Sequence, residues 1–126
     1  MQFRYARHTP DLNALEDFYT GVLGLEVLGR FEGHSGYDGV FLGKEGKGWH
    51  FEFTQSEDLP EHSSDDDDLL VFYAESQLEY DTIWAAIHEG GLELVLPKNP
   101  YWIEHGICIL DPDGFRVMIS RQRVKG

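Results

Sequence analysis

At 126 residues and 14.5 kDa the chain is long enough to bury a sizeable core, and 41% hydrophobic with 13% aromatic residues argues for a folded globule over a disordered segment. With 10 basic and 23 acidic side chains the formal net charge is −13, which excludes nucleic acid and anionic membranes as natural partners and would draw a cationic one; a soluble acidic surface accounts for the same balance. The lone cysteine, Cys108, sits in an apolar run, which excludes a disulfide framework and a cysteine-based metal site.

Phe3 and Tyr5 alternate with Gln2, Arg4 and Ala6, predicting a first strand with one apolar side. The opening residues Met1 to His8 lack the apolar core of a signal peptide, and no run is long enough for a membrane, so a cytoplasmic protein is expected. Thr9-Pro10-Asp11 supplies a cap for a helix whose stripe is Leu12, Leu15, Phe18, Tyr19, Val22 and Leu23, with Gly24 as the stop. Strands are expected over Leu25 to Phe31, Tyr37 to Leu42 and Trp49 to Thr54, separated by glycine-rich returns. Residues 55–68, with Asp65 to Asp68 in a row, read as a solvated, mobile acidic linker; the interrupted glycine-containing loop that calcium uses is missing.

The same order then recurs. Leu69 to Tyr73 is a strand, Tyr80, Ile83, Trp84 and Ile87 form a helical stripe ended by Gly90-Gly91, and Leu92 to Leu96 is a strand. A loop with two prolines, Pro97 to Trp102, leads to Gly106 to Leu110, the turn Asp111-Pro112-Asp113-Gly114, and a last strand, Phe115 to Ser120. Gly24-Leu25-Glu26-Val27 matches Gly91-Leu92-Glu93-Leu94, and Gly39-Val40-Phe41-Leu42 matches Gly106-Ile107-Cys108-Ile109, both about 67 residues apart, as an internal repeat requires. The chain is therefore read as a single α+β domain over 1–126, made of two tandem β-α-β-β-β modules, about 1–54 and 69–126, joined by the linker 55–68. They are expected to form a curved mixed sheet with helices on the outer face and a central cup on the other. Alternation sends Phe3, Tyr5, Trp49, Phe51, Phe53, Leu70, Phe72, Val117 and Ile119 to the helices. It sends Arg4, His50, Glu52, Thr54, Leu69, Val71, Tyr73, Arg116, Met118 and Ser120 to the cup.

This doubled order, with Asp11-Leu12, Phe18-Tyr19, Leu23-Gly24-Leu25 and the Asp-Pro-Asp-Gly hairpin, resembles the vicinal oxygen chelate (VOC) superfamily of glyoxalase I, extradiol dioxygenases, and fosfomycin- and bleomycin-resistance proteins. The Asn99-Pro100-Tyr101-Trp102 loop is similar to a bacterial subgroup to which the resemblance attaches no reaction. The enzymes of the superfamily hold a divalent metal in the cup. The resemblance carries their four ligand positions to Arg4, Glu52, the neighbourhood of Leu69, and Met118. Of these only Glu52 is a suitable ligand, because arginine has no lone pair to give, leucine has no donor atom, and a thioether suits soft copper. No metal or other cofactor is expected, with a divalent ion as the fallback if the strand register differs. The six histidines, His8, His34, His50, His62, His88 and His105, form no short ligand pair at helical spacing.

Arg4 and Glu52 carry opposite charges at converging positions. They form either a structural ion pair that replaces the metal cross-link or a site for an anionic group, with Arg116 assisting and Glu52 orienting the ligand or acting as a base. The expected function is metal-free binding of a small cationic or aromatic compound, as in bleomycin-resistance proteins. The candidate ligand-binding residues are Arg4, His50, Glu52, Tyr73, Tyr101, Trp102, Arg116 and Met118. The alternative is a glyoxalase I-like lyase or dioxygenase-type enzyme with Glu52 as catalytic residue, and a third reading is a protein whose role is dimerisation or regulation of a partner. The resemblance implies a homodimer.

Overall fold

Capping side chains fix where both helices begin. In the computed structural model, which describes residues 1–121, Asp11 Oδ1 accepts from the Ala14 N–H (3.1 Å) and opens α1, Leu12–Gly21. Ser76 Oγ accepts from the Glu79 N–H (3.0 Å) and opens α2, Gln77–Glu89, while Glu79 reaches back to the Glu75 N–H. The α2 helix ends in a Schellman pattern: Gly91 has φ 63°, and the N–H groups of Gly91 and Leu92 return to the carbonyls of His88 and Ile87. Gly24, its counterpart in the repeat, has φ 70°, but α1 has already ended at Gly21, three residues before the expected stop.

The chain divides into two compact units, residues 1–62 and 63–126. The first contains β1 (Phe3–His8), α1, β2 (Glu26–His34), β3 (Tyr37–Gly43) and β4 (Trp49–Gln55). Its sheet has the order β1-β4-β3-β2, with β1 parallel to β4 and the other pairs antiparallel. The helix covers one face. Tyr19 is fully buried, stacked on Phe53 at 5.2 Å and edge-on to Phe51 at 5.3 Å, with Leu15, Val40 and Leu42 also closed off. Each such side chain contributes roughly 1.5–3 kcal/mol by leaving water. Arg30 of β2 ties the sheet to α1 through a two-pronged bond to Glu16, which holds the Glu16 carboxyl below its ordinary pKa.

The second unit contains β5 (Leu69–Tyr73), α2, a 3₁₀ turn (Pro100–Glu104), β6 (Gly106–Leu110) and β7 (Arg116–Ser120). Its sheet order is β5-β7-β6, with β5 parallel to β7. The β6–β7 hairpin turns on Asp111, whose Oδ1 accepts from the N–H groups of Asp113 (2.9 Å) and Phe115 (3.1 Å), with Gly114 at φ 86°. Thus the fold is α+β with the tandem order expected, and the strands form two mixed sheets, one in each unit.

Several expectations need correction. The strand over Leu92 to Leu96 is reduced to one bridge, Leu94 to Ile109, beside a bond from Val95 N–H to Cys108 O; Pro97, without a donor, follows at once. The proline loop contains a 3₁₀ turn, capped by Asn99 Oδ1 on the Tyr101 N–H. The second strand starts at Glu26 and runs on to His34, past the expected end at Phe31. Phe3 is exposed rather than covered by a helix, whereas Met118 and Ser120 are fully buried. Finally, the segment 55–68 is tied down in part. His8 Nε2 reaches Ser56 Oγ (3.0 Å) and the Asp58 carbonyl (2.9 Å), His62 Nε2 lies 2.7 Å from the His8 carbonyl, and Asp66 pairs with Arg116.

Candidate functional site

The face of the first sheet that α1 leaves uncovered collects the ionisable residues. Strand register arranges it in three rows: Arg4, His50 and Gly43; Ala6, Glu52, Phe41 and Gly29; His8, Thr54, Gly39 and Phe31. Glycines lower this surface so that rings can lie on it. A Cβ on Gly39 would come within 2.2 Å of the Phe31 ring, and one on Gly29 would touch Phe41 at 3.4 Å. Phe31 and Phe41 are 5.8 Å apart, and the Arg4 guanidinium lies 4.9 Å above the Phe41 ring centre.

Arg4, His50 and Glu52 are brought together as their alternation suggests. Arg4 Nε donates to His50 Nε2 at 2.9 Å, and Arg4 Nη1 stands 3.6 Å from Glu52 Oε1. The latter separation is an ion pair without a hydrogen bond. The Arg4 side chain is 50% exposed and that of Glu52 19%, so the pair sits at the surface of the face, with Glu52 deeper.

The remaining candidates lie in the second unit and are placed differently. Arg116 is held by Asp66 (3.3 Å) and by the Leu96 carbonyl (3.4 Å). Met118 is paired with Cys108 and Val71 in a strand with no exposed surface at that position. Tyr73 ends β5 and is partly exposed. Tyr101 and Trp102 form an edge-to-face pair at 5.0 Å in the 3₁₀ turn, with Tyr101 also 4.4 Å from His105. Burial pushes the Cys108 thiol pKa up, with Arg116 offsetting part of the shift, which keeps this cysteine in its inert neutral form.

The residues present do not fit the divalent metal of the superfamily's enzymes. Among the described residues no three His, Cys, Asp or Glu side chains are grouped to hold an ion. The donor that does match, Glu52, has a guanidinium as its nearest charged neighbour.

Two features escape a strand-by-strand reading. Phe41 belongs to the open face as the ring beneath Arg4; the signal was the alternation Gly39, Phe41, Gly43, which leaves room for one ring between two glycines. His8 anchors the start of the 55–68 segment. Since the Asp58 carbonyl can only accept, Nε2 carries a proton, and Nδ1 lies 2.8 Å from the Thr54 hydroxyl. No local pattern announces that contact, because its partners are about 50 residues away.

Comparison with known proteins agrees with this architecture. Residues 3–54 match the YycE-like N-terminal domain and residues 67–121 the YycE-like C-terminal domain. The protein YycE of Bacillus subtilis (strain 168), itself uncharacterised, is 37% identical over 127 residues, spanning 97% of this chain and 88% of its own. A 2.0 Å crystal structure of a B. subtilis YycE protein of unknown function superposes with a TM-score of 0.87 at 37% identity, over 99% of this chain and 92% of that one. The trypanothione-dependent glyoxalase I of Leishmania major (TM-score 0.72, 18% identity, 95% of this chain and 85% of that one) shares the fold. So does the fosfomycin resistance protein FosX of Mesorhizobium loti (0.69, 16%, 96% and 90%). No helix among the described residues is long and apolar enough to cross a membrane. The chain belongs to the YycE-like family, within the VOC superfamily of glyoxalases and antibiotic-resistance proteins.

Proposed function

We propose that this chain is a metal-free small-molecule-binding protein, with the open face of the first sheet as its binding surface. The observation that carries the reading is the guanidinium of Arg4, anchored on His50 and Glu52 at the position where the superfamily's enzymes have a metal ligand. A permanent cation repels a divalent ion and accepts an organic guest by stacking or hydrogen bonding. Phe31 and Phe41 give such a guest an aromatic floor. The charge of −13 adds long-range attraction for a guest with a cationic portion. Homodimerisation, cytoplasmic location and the absence of any cofactor belong to the same proposal.

A second reading is a lyase or dioxygenase-type enzyme with Glu52 as general base. It is favoured by one observation: Glu52 is largely shielded from solvent yet among the described residues has only a long ion pair to Arg4, which leaves its carboxylate lone pairs open to a substrate proton. A thermal-shift screen with cationic antibiotics, thiol conjugates and small organic acids tests the proposal. At least one class is expected to raise the melting midpoint of the wild type, and Arg4→Gln to abolish the shift. Turnover of a guest, lost in Glu52→Gln, would establish the enzymatic reading instead.

A further inference from the structure

We infer that the open face of the first sheet is a site for a planar aromatic monocarboxylate, gripped by the Nη groups of Arg4, which His50 holds in place, above the Phe41–Phe31 floor. The inference deepens the binding reading above and rests on it.

Hydrogen-bond bookkeeping around Arg4 carries it. A guanidinium can only donate, so the bond from Arg4 Nε obliges His50 Nε2 to present its lone pair, and the ring proton sits on Nδ1. His50 thereby occupies the Nε edge of the guanidinium, while its own Nδ1–H points away from Arg4. Glu52, at 3.6 Å, holds the guanidinium by charge without taking up an Nη hydrogen in a hydrogen bond. The two Nη groups are left for the parallel bonds that a carboxylate accepts from arginine. Flatness follows from the floor: the guanidinium lies over Phe41, Phe31 is seated on Gly39, and the small, exposed Ala6 stands between Arg4 and His8 on β1. A ring joined to the carboxylate would extend along that floor. Glu52 limits the guest to one negative charge, since a second carboxylate on the ring would approach it.

Three probes with one ring and different charge test this: benzoate, benzamide and benzylamine, titrated into the ¹⁵N-labelled protein and followed by two-dimensional amide NMR. Benzoate is expected to move the amides of Arg4, Ala6, Phe41, His50 and Glu52 and to bind about tenfold more tightly than benzamide, because its hydrogen bonds are charge-assisted. Arg4→Lys is expected to weaken benzoate about tenfold by losing the planar fork, with an otherwise native spectrum showing that the variant is folded. If benzylamine moves those amides and benzoate does not, the inference falls while the binding reading stands. If no probe moves them, the inference also falls; if in addition Mn²⁺ or Zn²⁺ perturbs His50 and Glu52, the metal-free reading falls with it.

Discussion

The two sheets are built from one repeated plan and differ in how much of their strands is buried. In the first, a single helix covers one face, and the other keeps Arg4, His50, Glu52 and two phenylalanines within reach of solvent. In the second, the strand corresponding to β4 is closed on both sides: Val117, Met118, Ile119 and Ser120 are all buried. Glu52 and Met118 make the contrast specific, because each is flanked by two buried helix-side residues, Phe51 and Phe53 in one case and Val117 and Ile119 in the other. One repeated plan thus leaves ionisable side chains at the surface of the middle of β4 and closes the corresponding stretch of β7.

Exchanging the two residues is the strongest way to break this comparison. Met118→Glu puts a charge where no solvent reaches and is expected to cost roughly 4 kcal/mol or more, a large part of the stability of an ordinary domain. Glu52→Met is expected to cost about 1 kcal/mol or less, because the half-exposed Arg4 is then solvated instead. Urea unfolding of both variants checks the asymmetry, and equal costs would contradict it.

The paired glycines give the next largest effect. Gly39 and Gly106 occupy the same place in the repeat, and both are crowded, but by different neighbours. A Cβ at Gly106 would meet the Ile119 carbonyl oxygen at 1.9 Å, a backbone atom that cannot swing away; Gly106→Ala is expected to cost about 3 kcal/mol. At Gly39 the obstacle is the Phe31 ring, so Gly39→Ala is expected to cost about 1 kcal/mol and to displace the aromatic floor. Thermal unfolding ranks the two, and ligand titration of Gly39→Ala shows whether the floor matters.

The smallest effect concerns the tie between α1 and its sheet. Glu16 has its pKa lowered, first by the hydrogen bonds from Arg30 and then by the charge of that guanidinium, with desolvation opposing. A lowered folded-state pKa adds stability that is complete above the unfolded value and lost as pH falls through the folded one. Glu16→Gln is therefore expected to be modestly less stable than wild type at neutral pH and to converge with it in acid. Unfolding curves from neutral to acid pH measure the convergence.

Much of this architecture was legible in the chain. β5 begins and ends where its apolar run does, the Asp111 turn has the residues its hydrogen bonds need, and the 67-residue offset aligns Gly24 with Gly91 at positive φ. The edge strand after α2 was not legible, because apolar composition over 92–96 says nothing about whether a neighbour supplies a ladder, and only Leu94 and Val95 make those bonds. The site divides in the same way. Alternation along β1 and β4 brought Arg4, His50 and Glu52 to one face, but Phe41 was missed, because its place beside Glu52 depends on the β3–β4 register. Burial of Met118 depends on neighbours that no periodicity along β7 records, so its exposure could not be read from the chain.

The proposed arginine-centred organic site stands in place of a metal centre. Metal content of protein purified without chelator, by inductively coupled plasma mass spectrometry, tests it most directly. The account predicts far less than one divalent ion per chain and no rise in melting midpoint with added nickel, zinc or manganese. One tightly held ion per chain, lost in Glu52→Ala, would contradict it.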